Sequence, residues 1–231
     1  AGAAVNKHGN HDAENINGSN MATALGIIEM CYGDTGLLLS MPRQGLGNSA
    51  IAAVANDEQR ERFKDTWAAM AITEPSCGSD SAAIRTTATK DGDDYILNGE
   101  KIFVTSGERA DAVVVWASLD KNQGKAAIKS FVVPKGTAGM TVERLEYKLG
   151  IKASDTASIR FIDCRVPAAN LLGHPEINIT QGFSGVMETF DNTRPLVAAM
   201  AVGCAKASLE RIQEIFKDIL DPDYSTPYLQ S

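Results

Sequence analysis

An α+β architecture is predicted, with a helical part over residues 1–67, a central antiparallel β-sandwich or barrel over 68–175 and a second helical part over 176–231. Three observations predict it. Apolar residues recur at a helical spacing from Met21 to Tyr32 and again along Leu209, Ile212, Ile215/Phe216 and Ile219/Leu220. Between these stretches, from about Ala68 to Val166, the period falls to nearer two, with turn signals at regular intervals. Within that middle stretch, Asn98-Gly99 separates Tyr95-Ile96-Leu97 from Ile102-Phe103-Val104, a strong signal for a hairpin with a type I′ turn.

The elements follow in order. Asn17, Ser19 and Asn20 are plausible caps for the first helix, whose apolar positions are Met21, Leu25, Ile28 and Cys31. Gly33 and Gly36 interrupt it, and Ile51–Val54 belongs to a second helix. Asn56 followed three residues later by Gln59 forms a capping box, opening a short helix through Phe63. Strands are expected at Ala69–Thr73, Thr86–Thr89, Asp94–Leu97, Lys101–Thr105, Ala112–Ser118, Ser130–Val133, Met140–Tyr147 and Ser158–Val166. After Pro167 the helical period returns. Pro195 disfavours helix at Arg194, so either a helix starts there or a longer one kinks, and Asp221-Pro222-Asp223 ends the last helical run.

Composition narrows the functional classes. The 231 residues are 44% hydrophobic and 22% charged, the balance of a globular protein with its own core. A net charge of −7 and a pI near 5.0 argue against a nucleic-acid partner, whose phosphates need a basic surface. No apolar run reaches the ~18 residues of a membrane span, and the first twenty residues hold no signal-peptide core. Cys31, Cys77, Cys164 and Cys204 are scattered without a C-x-x-C pair or zinc spacing, which points to reduced thiols in a reducing compartment. His8 and His11 are a solvated tail or a weak metal pair, with the tail favoured and no metal expected. His174 follows a loop glycine and needs no function, and Asp57–Lys64 reads as a solvated helix face.

Three blocks carry the polar chemistry. In Thr73-Glu74-Pro75-Ser76-Cys77-Gly78-Ser79-Asp80, successive amides in a tight turn make an anion-binding concavity, Gly78 permits close approach and the hydroxyls add donors. That suits a pyrophosphate or a flavin edge, while an ordinary turn between strands accounts for the same residues taken alone. The second block is Asn98-Gly99-x-Lys101-x-Phe103-Val104-Thr105-Ser106-Gly107, and a generic hairpin explains its first two residues. The third is Phe190-Asp191-Asn192-Thr193-Arg194-Pro195, which alone also fits a solvated Asp/Arg pair on a helix.

In this order the three blocks resemble the acyl-CoA dehydrogenase family of flavoenzymes, most closely its medium- and short-chain members. Smaller stretches agree: Leu149-Gly150-Ile151-Lys152-Ala153-Ser154-Asp155-Thr156, and Val166-Pro167-Ala168-Ala169-Asn170-Leu171-Leu172-Gly173. The similarity is strong from Ala68 to Leu209 and weaker before it. The resemblance implies FAD-dependent α,β-desaturation of a fatty acyl-CoA thioester, with electrons passed to an electron-transfer flavoprotein and a homotetrameric assembly. It implies FAD contacts from Met70, Ala71, Ile72, Thr73, Glu74, Pro75, Ser76, Cys77, Gly78, Ser79, Phe103, Val104 and Thr105. Phe103 stands where the family often has a stacking tryptophan, and Thr105 where a hydroxyl reaches flavin N5. It implies substrate contacts from Ser79, Phe190, Asp191, Thr193 and Arg194, with FAD lying between the β domain and the helices.

No catalytic base is assigned. In most of the family the glutamate lies near the C-terminal end; in a minority it takes the position of Thr193, and Glu188 and Glu210 align with neither. The polar start at Ala1 and the stop at Ser231 suggest a chain incomplete at both ends. Other readings stay open: a non-catalytic flavin- and CoA-binding subunit of a heteromeric dehydrogenase, an acyl-CoA oxidase-like flavoenzyme, or a β-sandwich binding module without cofactor. The cytoplasm or a mitochondrial matrix fits the thiols.

Overall fold

The computed structural model describes residues 19–42, 46–177 and 184–217. Four helices come first: α1 (Ser19–Gly33), α2 (Thr35–Ser40), α3 (Leu46–Val54) and α4 (Asp57–Arg62). The strands follow as β1 (Ala68–Ala71), β2 (Thr87–Asp91), β3 (Asp94–Thr105), β4 (Ala112–Ser118), β5 (Ile128–Pro134), β6 (Met140–Leu145) and β7 (Thr156–Pro167), and then α5 (Ser184–Ile215). Helices, a β region and a helix therefore succeed one another as expected. His8 and His11 lie outside the described residues, as do Ile219, Leu220 and the Asp221-Pro222-Asp223 stop. Among the described residues no helix is long and apolar enough to cross a membrane, and no cluster of three or more His, Cys, Asp or Glu is placed to hold a metal.

The capping box forms as read. Asn56 Oδ1 accepts from the Gln59 amide at 2.8 Å and Gln59 Oε1 from the Asn56 amide at 3.2 Å, opening α4. The Gln59 side chain also donates to the Leu171 carbonyl at 2.6 Å, tying α4 to the chain after β7. Two helical features differ from expectation. Asp34 caps an additional short helix, its carboxylate accepting from the Leu37 amide at 2.8 Å. And α3 begins at Leu46, five residues ahead of Ile51, because Gly47 seats it on β1: a Cβ there would stand 2.3 Å from the Ala69 carbonyl oxygen.

The seven strands form one sheet in the order β1-β4-β2-β3-β7-β6, with β5 on β4. Most pairs are antiparallel, but β1 runs parallel to β4 from Ala68↔Ala112 to Ala71↔Val115. The β4 strand, Ala112–Ser118, is buried along its whole length, and its two faces feed two cores. One core holds Leu97, Phe131, Phe161 and Ile159; the other holds Ile72, Trp116, Ile128 and Val186. Tyr95 and Phe131 meet edge-to-face at 5.2 Å in the first. Each fully buried phenylalanine contributes roughly 2–3 kcal/mol by removal from water.

The hairpin expected at Asn98-Gly99 does not form. β3 runs unbroken from Asp94 to Thr105, and the reversal lies at Asp91–Asp94, where Gly92 has φ 60°. Tertiary contacts override the local turn preference. Asn98 exchanges hydrogen bonds with Asp163 of β7, and Gly99 is present because a Cβ would fall 2.4 Å from the Thr86 hydroxyl.

α5 continues through Pro195, which resolves the two sequence alternatives in favour of one long helix. Pro195 lies on the exposed face, where solvent can satisfy the carbonyl left without its N–H donor. α5 packs along α1 through Ile27, Cys31 and Ala199. The later stripe of Leu209, Ile212, Ile215 and Phe216 is exposed among the described residues.

All four cysteines are free thiols. Burial pushes the Cys164 thiol up to about 11, whereas Cys204 is exposed on α5. Iodoacetamide at about pH 8 is expected to label Cys204 in the native protein and leave Cys31, Cys77 and Cys164 unmodified until the protein is denatured, as peptide mapping would read.

Candidate functional site

The chain after β1 and the second half of β3 lie side by side, which brings the first two blocks together. The Ile102 amide donates to the Thr73 carbonyl at 2.9 Å, and Lys101 Nζ donates to the Ile72 carbonyl at 3.1 Å. From Thr73 the chain turns tightly: the Glu74 amide donates to the Cys77 carbonyl at 2.9 Å and the Cys77 amide to the Glu74 carbonyl at 3.1 Å. This leaves Pro75, Ser76, Gly78 and Ser79 exposed on the turn. The amides of Gly78 and Ser79 donate to no group among the described residues, so the loop presents unpaired N–H groups to solvent.

Opposite the loop, β3 carries a bulge. Its register with β7 passes from Lys101↔Ile159 to Val104↔Ala157, so Ile102 and Phe103 face Ser158 alone. Phe103 takes φ 58° and is 60% exposed. An aromatic residue held in the left-handed region costs of order 1–2 kcal/mol. Here the bulge turns an aromatic ring away from both cores and into solvent. Thr105 follows, half-buried at the end of β3, and Ser106 continues at φ 62°.

The buried side chains between loop and strand form one polar cluster. Glu74, 4% exposed, accepts from Lys101 Nζ at 2.7 Å, the Thr86 hydroxyl at 2.6 Å, the Thr86 amide at 3.0 Å and the Arg85 amide at 2.6 Å. Burial pushes the Glu74 carboxyl upward, but the Lys101 charge and these hydrogen bonds outweigh it and hold it below its ordinary value. Burial pushes fully buried Lys101 down to about 8, against the opposing pull of Glu74 and Cys77.

Burial limits which atoms of the expected cofactor residues are open to a ligand. The Glu74 carboxylate is spent on internal partners, so its side chain is not free for a ligand. The side chains of Ala71, Ile72, Cys77 and Val104 are likewise buried in the protein, leaving only their backbone for such contacts. Met70 is half-buried against the second core. The solvent-exposed groups of the first two blocks include Pro75, Ser76, Gly78 and Ser79 of the turn and Phe103, with Thr105 half-buried.

The third block lies on α5. Phe190 packs against the same core as Met70, Ile72 and Cys77. The Thr193 hydroxyl is buried and donates to the Thr189 carbonyl at 3.0 Å. Asp191 and Arg194 are exposed and pair with each other at 2.9 Å, with the guanidinium 5.4 Å from the Phe190 ring centre. They make no hydrogen bond to either of the first two blocks. A cavity of about 300 Å³, lined by Val54, Trp116, Lys129, His174, Glu176 and Glu188 among others, lies elsewhere and includes none of the residues expected to contact FAD or substrate. Glu188 is thus at that cavity, and Glu210 accepts from the Tyr32 hydroxyl at 2.5 Å.

Residues 69–164 match the family described as acyl-CoA dehydrogenase, middle domain. The short-chain specific mitochondrial acyl-CoA dehydrogenase of Rattus norvegicus is 37% identical over 198 residues, 82% of this chain and 47% of that protein. The chain belongs to the acyl-CoA dehydrogenase family. Among solved structures, butyryl-CoA dehydrogenase from Megasphaera elsdenii superposes with a TM-score of 0.79 at 34% identity, over 92% of this chain and 56% of that one. A glutaryl-CoA dehydrogenase from Mycobacterium smegmatis, in complex with FADH2, does so with a TM-score of 0.72 at 31% identity, over 83% of this chain and 49% of that one. The chain spans about half the length of the curated acyl-CoA dehydrogenases it matches.

Two residues of the buried polar cluster escaped the sequence reading: Lys101 and Thr86. Lys101 stands inside the second block, but a lysine in a strand reads as solvated, since lysines are rarely buried unless paired. Thr86 carried no motif signal.

Proposed function

We propose that the chain is the flavin-binding part of a dehydrogenase that desaturates fatty acyl-CoA thioesters at the α,β position. The observation that carries this is Phe103, held at φ 58° on a bulge with its ring exposed beside Thr105 and the amide-bearing turn. An exposed aromatic face, a hydroxyl and unpaired amides within one surface fit the ring system and the pyrophosphate of FAD. The groups that would hold it are Phe103 against the ring, Thr105 at its reactive edge, and Thr73, Ser76, Gly78 and Ser79 along the turn. When bound, FAD supplies a two-electron hydride acceptor.

The protein residues have the remaining tasks. Arg194, with Asp191, offers a charged, solvent-facing anchor for the anionic CoA portion, while Phe190 and Thr193 border the apolar acyl end and Ser79 meets the thioester side. Thr193 is no base: its hydroxyl is buried and donates to a helix carbonyl. The carboxylate that removes the α proton therefore comes from outside the residues named here. We further propose the domain limits 1–67, 68–175 and 176–231, assembly as a homotetramer, reoxidation by an electron-transfer flavoprotein, and a cytoplasmic or mitochondrial-matrix location, in keeping with three buried free thiols.

Purified protein is expected to be yellow, to release FAD on denaturation, and to show a displaced visible band when an acyl-CoA is added. Among acyl-CoAs of graded length, the largest displacement names the preferred chain. A colourless protein that takes up no FAD overturns the reading. Rapid reoxidation by oxygen, without an electron-transfer flavoprotein, overturns the dehydrogenase in favour of an oxidase.

A further inference from the structure

We propose that Glu74, Lys101 and Thr86 form a positioning latch that sets the FAD loop against the bulged strand, and that Gly99 is the slot through which the latch closes; this rests on the cofactor reading above.

The argument starts from the spacing in the second block. Gly99 and Lys101 are two residues apart in β3. A side chain at position 99 would strike Thr86, with the nearest approach 2.4 Å. With glycine there, Thr86 closes onto β3 and presents both its hydroxyl and its amide to Glu74, at 2.6 and 3.0 Å. Lys101 reaches the same carboxylate oxygen at 2.7 Å and the Ile72 carbonyl at 3.1 Å. One carboxylate thus joins the chain before β2, the start of the cofactor loop and the middle of β3. Two of the residues expected to face the flavin lie within two positions of these contacts: Thr73 adjoins Ile72 and Glu74, and Phe103 is two residues beyond Lys101.

Stability alone does not account for such a cluster. Both charged side chains are buried, at 0% and 4% exposure. Desolvating two charges offsets most of their attraction, and apolar residues of the same volume generally hold a fold equally well. Directionality is what the ion pair adds. It orients the Ile72 carbonyl and the Arg85 and Thr86 amides, and apolar side chains orient none of them. Lys101 and Glu74 do not reach the solvent-facing surface, so they act through the loop and the bulge rather than on substrate.

The test compares the flavoprotein with the Glu74→Gln/Lys101→Met double variant, which removes both charges and keeps one amide oxygen as acceptor for Thr86. The readouts are melting temperature, FAD dissociation constant and visible circular dichroism of the bound flavin. The expected result is a melting temperature close to that of the parent, with FAD bound about tenfold more weakly and an altered dichroism. Parent-like affinity and dichroism in the double variant overturn the proposal while leaving the cofactor reading intact. A parent protein that binds no FAD defeats both. Should the double variant not fold, Thr86→Val and Thr86→Ser decide. Weakened FAD binding in the valine variant with recovery in the serine variant supports the latch, and equal binding in the two refutes it.

Discussion

Replacing Lys101 with methionine is expected to cost about 3–5 kcal/mol of stability near neutral pH. The volume is nearly conserved, so the loss is not a cavity effect. It arises because Glu74, 4% exposed, is left as a buried charge without its partner cation. The pH dependence separates this cause from simple misfolding. In the parent, the Glu74 carboxyl lies below its ordinary value, so its contribution is present above the unfolded-state pKa and fades as pH falls through the folded one. Lys101 is depressed from 10.5 to about 8, so the native state sheds this proton before the unfolded chain does. Its linkage therefore makes the parent gain stability between about pH 8 and 10.5. The methionine variant lacks that gain. Burial acts on its Glu74 with the opposing lysine gone, so the carboxyl takes up a proton more readily than in the parent. The cost of the substitution should thus shrink toward mildly acidic pH and grow above pH 8. Urea unfolding midpoints across that range check it, and a difference that is flat with pH would contradict the account.

The second large effect is expected where α1 crosses α5. A Cβ on Gly203 would stand 2.2 Å from the Ile28 carbonyl oxygen and 3.0 Å from Cys31 Cβ. Backbone cannot rotate out of the way as a side chain can, so Gly203→Val must push the helices apart. About 3 kcal/mol is expected, at the upper end of overpacking costs, with α1 losing the cluster of Ile27, Cys31, Leu38 and Ala199. Limited proteolysis should then cut within Ser19–Gly33 while the sheet stays protected. Gly26 on the same helix is the control, since nothing lies within 4 Å of a Cβ there. Gly26→Ala is expected to be neutral or to stabilise by about 0.5–1 kcal/mol through helix propensity. Equal losses at the two positions would mean that the crossing is not the cause.

Much of the framework was legible because it rests on neighbours in the chain. The Asn56/Gln59 capping box is a contact across three residues, and it forms as read. Ala112–Ser118, an apolar run of strand length, is a strand with those limits. The first block reads as a turn because Pro75 and Gly78 punctuate it, and the turn closes between Glu74 and Cys77. The illegible parts involve distant partners. Asn98-Gly99 has the chemistry of a tight turn, yet Asp163, 65 residues away, takes the asparagine and Thr86 takes the space above the glycine.

By itself the sequence determined the succession of helices, sheet and helix, the three ordered blocks and the family they resemble, since periodicity, caps and short motifs are local properties of the chain. Only the tertiary structure decided that Asn98-Gly99 continues a strand, that Glu74 is consumed by Lys101 and Thr86, and that Phe103 is turned outward on a bulge. Each of these depends on the sheet bringing together groups far apart in the chain. Buried charges and polar groups must then find partners inside the protein, and that requirement overrode the local preference.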